Sequence, residues 1–372
     1  MAVETQVGGS GWRTVAARRL RLSSLLTTLL FSSRFLTIWI ATALLLVVCE
    51  IIAPATLNHI SLSTMLPFGT VLAVAAIGQM LVVMTGGIDL SMAAAISLLA
   101  NVLVGTASGS DGRLGVAILV VLGCAAVMGL ANGLLVGVLG LNSLITTLAS
   151  GLVFLGINAG YREGIPNESV VPPVLSDWVL RRYLGVSPVF WLGLLLTIVV
   201  ALLLRSTTVG RRFQTVGANP RAAWIAGVHV RSHVVFAYVA ATMSAGVAAI
   251  LLVGILKSPS SDPGASLFLA PIAAVVLAGA SLTGGLASVL STWVAAFALT
   301  ILNTMLRVLG LTHAVQFVVF GVAIVIGMVF SGDRIAAVLG RLLQHPGVRA
   351  IVDTDESVDR REEGLEHRES VA

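Results

Sequence analysis

Acidic side chains are rare within the apolar bulk of this chain, and one of them, Asp89, follows two glycines in Thr85-Gly-Gly-Ile-Asp-Leu-Ser91. A carboxylate in such a place can accept hydrogen bonds from a starting helix, sit in a transport path, or meet a partner subunit. Gly86 and Gly87 each cost a helix about 1 kcal/mol relative to alanine. Glycine also reaches positive φ, so the pair ends one helix and redirects the chain. Asp89 or Ser91 then caps the next helix by accepting its orphan N–H groups, where a negative charge also suits the dipole. Thr283-Gly284-Gly285 repeats the tripeptide at a second junction between apolar runs. Further chemistry is sparse. The only lysine is Lys257, which excludes a G-x-x-x-x-G-K-[ST] phosphate loop. The six histidines show no metal-ligand spacing, and no G-x-S-x-G elbow occurs. No catalytic residue, metal ligand or cofactor is expected on this chain, which does not read as an enzyme.

The elements that must carry these residues follow from composition. The 372 residues are 57% hydrophobic and 10% charged, where a soluble domain carries about 25% charged residues. Unbroken apolar runs near 20 residues recur, each enough for a helix to cross about 30 Å of hydrocarbon. Lipid demands internally paired backbone, and the runs lack strand alternation. The expectation is an all-α, polytopic integral membrane protein with about ten transmembrane helices. They fall near 35–53, 66–85, 90–107, 114–138, 142–160, 188–204, 234–256, 268–283, 286–306 and 312–330. The first is too long for a signal core and reads as an uncleaved span. Cys49 and Cys124 lie in these spans and read as packing residues. The net charge of +5 is no nucleic-acid signal, because the arginines cluster between spans.

Those clusters orient the chain by the positive-inside rule. Arg13, Arg18, Arg19, Arg21 and Arg34 hold an N-terminal segment, 1–34, in the cytoplasm. Six spans later Arg205 to His233 contains five arginines and no acid, and four more spans return to Arg334, Arg341 and Arg349. The termini are therefore expected inside. A permease-like domain runs 35–330, with an external loop at 161–188 and a cytoplasmic loop at 205–233. The tail 331–372, dense in both charges, reads as disordered and cytoplasmic.

The cytoplasmic loop contains a helix start. Asn219 can cap a helix with Pro220 at its first position, Ala222 and Ala223 favour it, and Gly227 ends it. Arg221, Trp224 and Ile225 would form a charged and apolar knob. Two readings stay open: a lever that docks a partner, or an interfacial helix on anionic lipid. Polar residues at depth, Gln79, Asn101, Asn132, Asn158 and Asn303, with Trp293 as a stacking face, are candidates for a translocation path. Gly129, Gly133 and Gly137 make a smooth groove for another helix, within the subunit or at a dimer seam.

Several stretches together resemble the ribose-type, monosaccharide ABC transporter permeases: GGIDLS, VLGLNSLITTLASGLVFLGI, TTVGRRFQTVGANPRAAWIAGVHVRS and IAAVVLAGASLTGGLAS. The resemblance spans about residues 60–330. It implies an importer subunit for a monosaccharide or related polyol in the bacterial cell (inner) membrane. Its implied partners are a second permease subunit, identical or homologous, an extracytoplasmic solute-binding protein and a cytoplasmic ATPase that binds the ATP. It makes Gly217, Asn219, Arg221, Ala222, Ala223, Trp224 and Gly227 the ATPase-coupling loop. Family members carry acids before the IAAVV motif, whereas this chain has Phe268, Ala270 and Pro271. That departure fits a heteromeric pair or a less common substrate. Rival readings are an ABC permease for a nucleoside or amino acid, an ion-coupled secondary transporter, and a membrane scaffold.

Overall fold

The computed structural model describes residues 33–164, 171–257 and 260–312, with part of 314–325. The N-terminal segment through residue 32, the tail 331–372 and most of the expected last span lie outside the described residues. In chain order the helices are α1 (Ser33–Ile52), α2 (His59–Met84), α3 (Met92–Ala107), α4 (Leu114–Gly133), α5 (Ser143–Glu163) and α6 (Pro173–Leu180). They continue as α7 (Pro188–Ser206), α8 (Thr208–Ala218), α9 (Pro220–Ile225), α10 (Val230–Leu256), α11 (Ala270–Leu277) and α12 (Val289–Val308). Helix α4 runs on through a π turn at Leu134–Val138. The fold is all-α, and among the described residues seven helices (α1, α2, α4 with its extension, α5, α7, α10 and α12) are long and apolar enough to cross a membrane.

Two expected spans come out shorter. Helix α3 begins at Met92 because the chain between Met84 and Met92 is not helical. The expected 268–283 span is helical only over Ala270–Leu277. Gly279, Gly284 and Gly285 adopt positive φ there, which a right-handed helix cannot absorb.

Helix α2 is the central post. Of its apolar window 89% is buried inside the protein, against 11% for α1, 17% for α7 and 28% each for α4 and α5. It packs against α10, α12, α11 and α7. Lipid tails are as apolar as leucine, so such packing rests on close fit and small residues rather than on water exclusion. Ala237, Ala241, Ala245, Ala248 and Ala249 of α10 are accordingly buried. The Gly129, Gly133 and Gly137 groove receives α10 of the same chain. A Cβ on Gly129 would lie 2.7 Å from Val239 Cα, and one on Gly133 2.9 Å from Val235 Cα.

Candidate functional site

A helix broken inside a bundle must find partners for its freed backbone groups, since an unpaired one in hydrocarbon costs several kcal/mol. The break between α2 and α3 does so with side chains from three other helical turns. Gly86 takes φ 84°, and its N–H donates to Val83 O at 2.9 Å. The Gln79 amide, one turn back, accepts from Asp89 N–H at 3.1 Å and donates to Asp89 O at 3.0 Å. From α5, Thr147 Oγ1 accepts the Leu90 N–H at 3.0 Å and donates to Ile88 O at 3.2 Å. Ser143, at the start of α5, accepts the Ile88 N–H at 3.4 Å.

Asp89 is buried at the centre of this node. Its Oδ1 accepts from the Ser91 N–H at 2.8 Å and from Ser91 Oγ at 2.6 Å. Ser91 occupies the N-cap position of α3 but makes no side-chain cap bond of its own. The carboxylate thus grips the residue before the first turn, not the N2 or N3 N–H that a cap ordinarily serves. Asn132 of α4 closes the node by donating to Ser91 Oγ at 2.9 Å, while its own Oδ1 is buried without a partner.

The second Thr-Gly-Gly junction and the loop after α7 meet the first. The Gly285 N–H donates to Met84 O at 2.9 Å. Gly217, in the last turn of α8, lies so close that a Cβ would overlap both Met84 O and Gly285 N. A Cβ on Gly284 would fall 2.8 Å from Gly217 O and 3.0 Å from Gly86 N. Three segments more than sixty residues apart therefore form one backbone joint. From that joint the chain passes through Asn219, whose side chain accepts the Ala222 N–H at 3.0 Å, into α9. Ala222 lies in the first turn of this helix, Ala223 is buried and Arg221 is exposed. Trp224 is 73% and Ile225 80% exposed, and Gly227 turns the chain away at φ 78°.

The remaining polar candidates divide. Asn101 and Asn158 come together: Asn101 Nδ2 donates to Asn158 Oδ1 at 2.8 Å and to Ser261 O at 3.0 Å, and Asn158 Nδ2 donates to Ser261 O at 2.9 Å. Beside them Ser97 donates to the exposed carboxylate of Asp262 and accepts the Gly264 N–H at 2.8 Å. Asp262 is not among the residues expected from the sequence. Its only signal in the sequence is the turn-like Ser-Ser-Asp-Pro-Gly composition. Asn303 stands apart, lining a cavity of about 270 Å³ with Arg307, Thr300 and Gln316. The Trp293 ring is taken up by Phe297 and Phe190, with centroids 4.9 and 6.0 Å away. It packs α12 against α7 and offers little free stacking face.

Residues 61–328 match the family described as branched-chain amino acid transport system / permease component. The probable ABC transporter permease protein y4mJ of Sinorhizobium fredii is 33% identical over 283 residues, covering 73% of this chain and 81% of its own. The ribose import permease protein RbsC of Bacillus subtilis is 32% identical over 295 residues, 79% of this chain and 91% of its own. The autoinducer 2 import system permease protein LsrC of an Enterobacter species is 32% identical over 284 residues, 74% and 80% respectively. No solved structure matches the chain. A bundle of apolar helices, broken at two glycine pairs and matched over most of its length by these permeases, belongs to the family of the branched-chain amino acid transport system / permease component.

Proposed function

We propose that this chain is the membrane-spanning subunit of an ATP-binding-cassette importer for a monosaccharide or related polyol. A separate cytoplasmic ATPase supplies the energy, an extracytoplasmic binding protein delivers the solute, and a second permease subunit completes the pore. Similarity to a ribose permease and an autoinducer 2 permease supports the solute class. The arginine clusters support termini on the cytoplasmic side. The observation that carries the coupling is the joint at Gly217. The α9 knob of Arg221, Trp224 and Ile225 docks the ATPase. Its displacement passes through Asn219 directly to Gly217, which has no slack against Met84 and Gly285. The start of α3 and the Asp89 node must then move with it.

The path is assigned to Asn101, Asn158 and Asp262, beside a non-helical segment, where irregular backbone at membrane depth belongs to a cavity or a protein interior. Gln79 and Trp293 are structural in this reading, because both ends of the Gln79 amide are paired and the Trp293 ring is packed against aromatics, whereas Asn101 keeps an unpaired Oδ1 and Asp262 is exposed. A solute other than a common pentose or hexose is a second reading, favoured by Phe268 and Leu269, apolar and 44% exposed just before α11.

Arg221→Glu with Trp224→Ala tests the proposal. Truncating a buried interface aromatic typically costs about 2 kcal/mol or more. The double variant should insert and stay monodisperse, yet lose ATPase co-purification and uptake of a labelled sugar. Retention of both would end the coupling assignment. Uptake over a panel of pentoses, hexoses, polyols and nucleosides separates the two solute readings.

A further inference from the structure

We infer that a cavity at the end of α7 binds the headgroup of an anionic phospholipid. The cavity has a volume of about 460 Å³ and lies between the last turn of α7, the first turns of α8 and the head of α12. Arg205, Arg211, Gln214 and Ser288 supply its polar wall. No acidic residue lines it among the described residues, and none occurs anywhere from Arg205 to His233. Two guanidinium groups therefore face one space without internal neutralisation. Guanidinium forks match phosphate oxygens in charge and shape.

Depth decides which anion this is. Arg205 stands in the last turn of a 19-residue apolar helix, so it lies where hydrocarbon gives way to headgroups. Ala201 and Leu204, on the same helix and toward the hydrocarbon, line the same cavity. Leu286, Leu290 and Phe35 extend the apolar wall. A ligand that touches both walls is amphiphilic, with its charge at the membrane boundary and its chain running inward. Inorganic phosphate satisfies the arginines alone and leaves the apolar wall uncovered. An acidic protein surface would have to enter below the headgroup level to reach Ala201. The site is separate from the knob on α9, and the inference does not depend on what the protein transports.

The test uses the full-length chain, purified in mild detergent and reconstituted in nanodiscs. Phosphatidylglycerol retained through purification is measured by mass spectrometry against phosphatidylcholine. Thermal stabilisation by each added lipid is recorded alongside. The wild-type chain should retain phosphatidylglycerol selectively, and Arg205→Gln/Arg211→Gln should lower that retention about tenfold. The same loss of charge at Arg181→Gln/Arg182→Gln, on the far side of α7, should leave it unchanged. Arg205→Lys/Arg211→Lys keeps the charge and should keep most of the selectivity, which covers the case of a glutamine variant that aggregates. Equal retention of both lipids by the wild-type chain would overturn the inference. So would displacement of the lipid by millimolar inorganic phosphate, which would mark a soluble-anion site. Unchanged lipid retention with loss of ATPase co-purification would assign the cavity to a protein partner instead.

Discussion

The two Thr-Gly-Gly junctions share a tripeptide and touch each other, yet they are held by different means. The junction at Thr85 is tied to the bundle from outside: Gln79, Ser143, Thr147 and Asn132 all reach it or the serine it grips. The junction at Thr283 is held mostly by itself. Ser281 N donates to Leu286 O at 2.9 Å, Gly284 N donates to Ser281 O at 3.0 Å, and the Ser281 and Thr283 hydroxyls pair at 2.8 Å. Its tie to the first junction is the Gly285 N–H on Met84 O. The helix after the first break starts from a carboxylate locked in a buried node. The helix after the second starts from Ser288, which accepts the Ser291 N–H at 3.3 Å. A glycine pair therefore permits a break, but the residues behind it decide whether the break is anchored or self-supporting.

Substitutions at five positions test that contrast. The largest effect is expected at Gly217, which serves both junctions. Gly217→Ala forces a Cβ against backbone atoms of both, Met84 O and Gly285 N, which cannot rotate away. Overpacking of this kind costs about 1–3 kcal/mol or more. A lower melting temperature in detergent together with loss of uptake is the expected result, and a silent alanine would dissolve the joint. Next comes Asp89. Asp89→Leu strands the Ser91 N–H and hydroxyl, at about 1–3 kcal/mol, whereas Asp89→Asn keeps an acceptor. Folded yield should drop for leucine and hold for asparagine. A well-folded asparagine variant without uptake would show that the charge itself is needed.

Gly86→Ala and Gly284→Ala separate the junctions directly. Both positions have positive φ, which costs an L-residue roughly 1–2 kcal/mol. A Cβ on Gly86 meets nothing nearer than Thr283 O at 3.4 Å, whereas one on Gly284 collides with Gly217 and Gly86 backbone. The Gly284 variant should melt lower than the Gly86 variant, and the reverse order would undo the contact geometry. Ser288→Ala should have the smallest effect, at the low end of the roughly 0.5–2 kcal/mol of a lost cap. Its measure is the melting temperature alone, with uptake unchanged.

Much of this arrangement could be read from the residues, because the signals are local. Apolar runs announce helices, glycine pairs announce breaks, and Asn219-Pro220 announces a short helix. Contact between distant breaks leaves no such trace. Thr85, Gly217 and Thr283 are spaced by the whole bundle, and no periodicity links them. Asp262 was illegible for a related reason. Its Asp-Pro-Gly setting looks like an exposed turn, and only the packing of α3 and α5 turns that stretch inward. The contact of the Trp293 ring with Phe190, about a hundred positions away in sequence, is likewise announced by no local pattern.

The burial of α2 also has a consequence for biosynthesis. This helix is translated early, but α10, α11 and α12, which enclose it, follow more than a hundred residues later. Until they arrive, the face of α2 that they cover lacks its partners. Chains truncated before Val230 should therefore be inserted yet unassembled, and membrane quality control should clear them faster than chains that reach Val308.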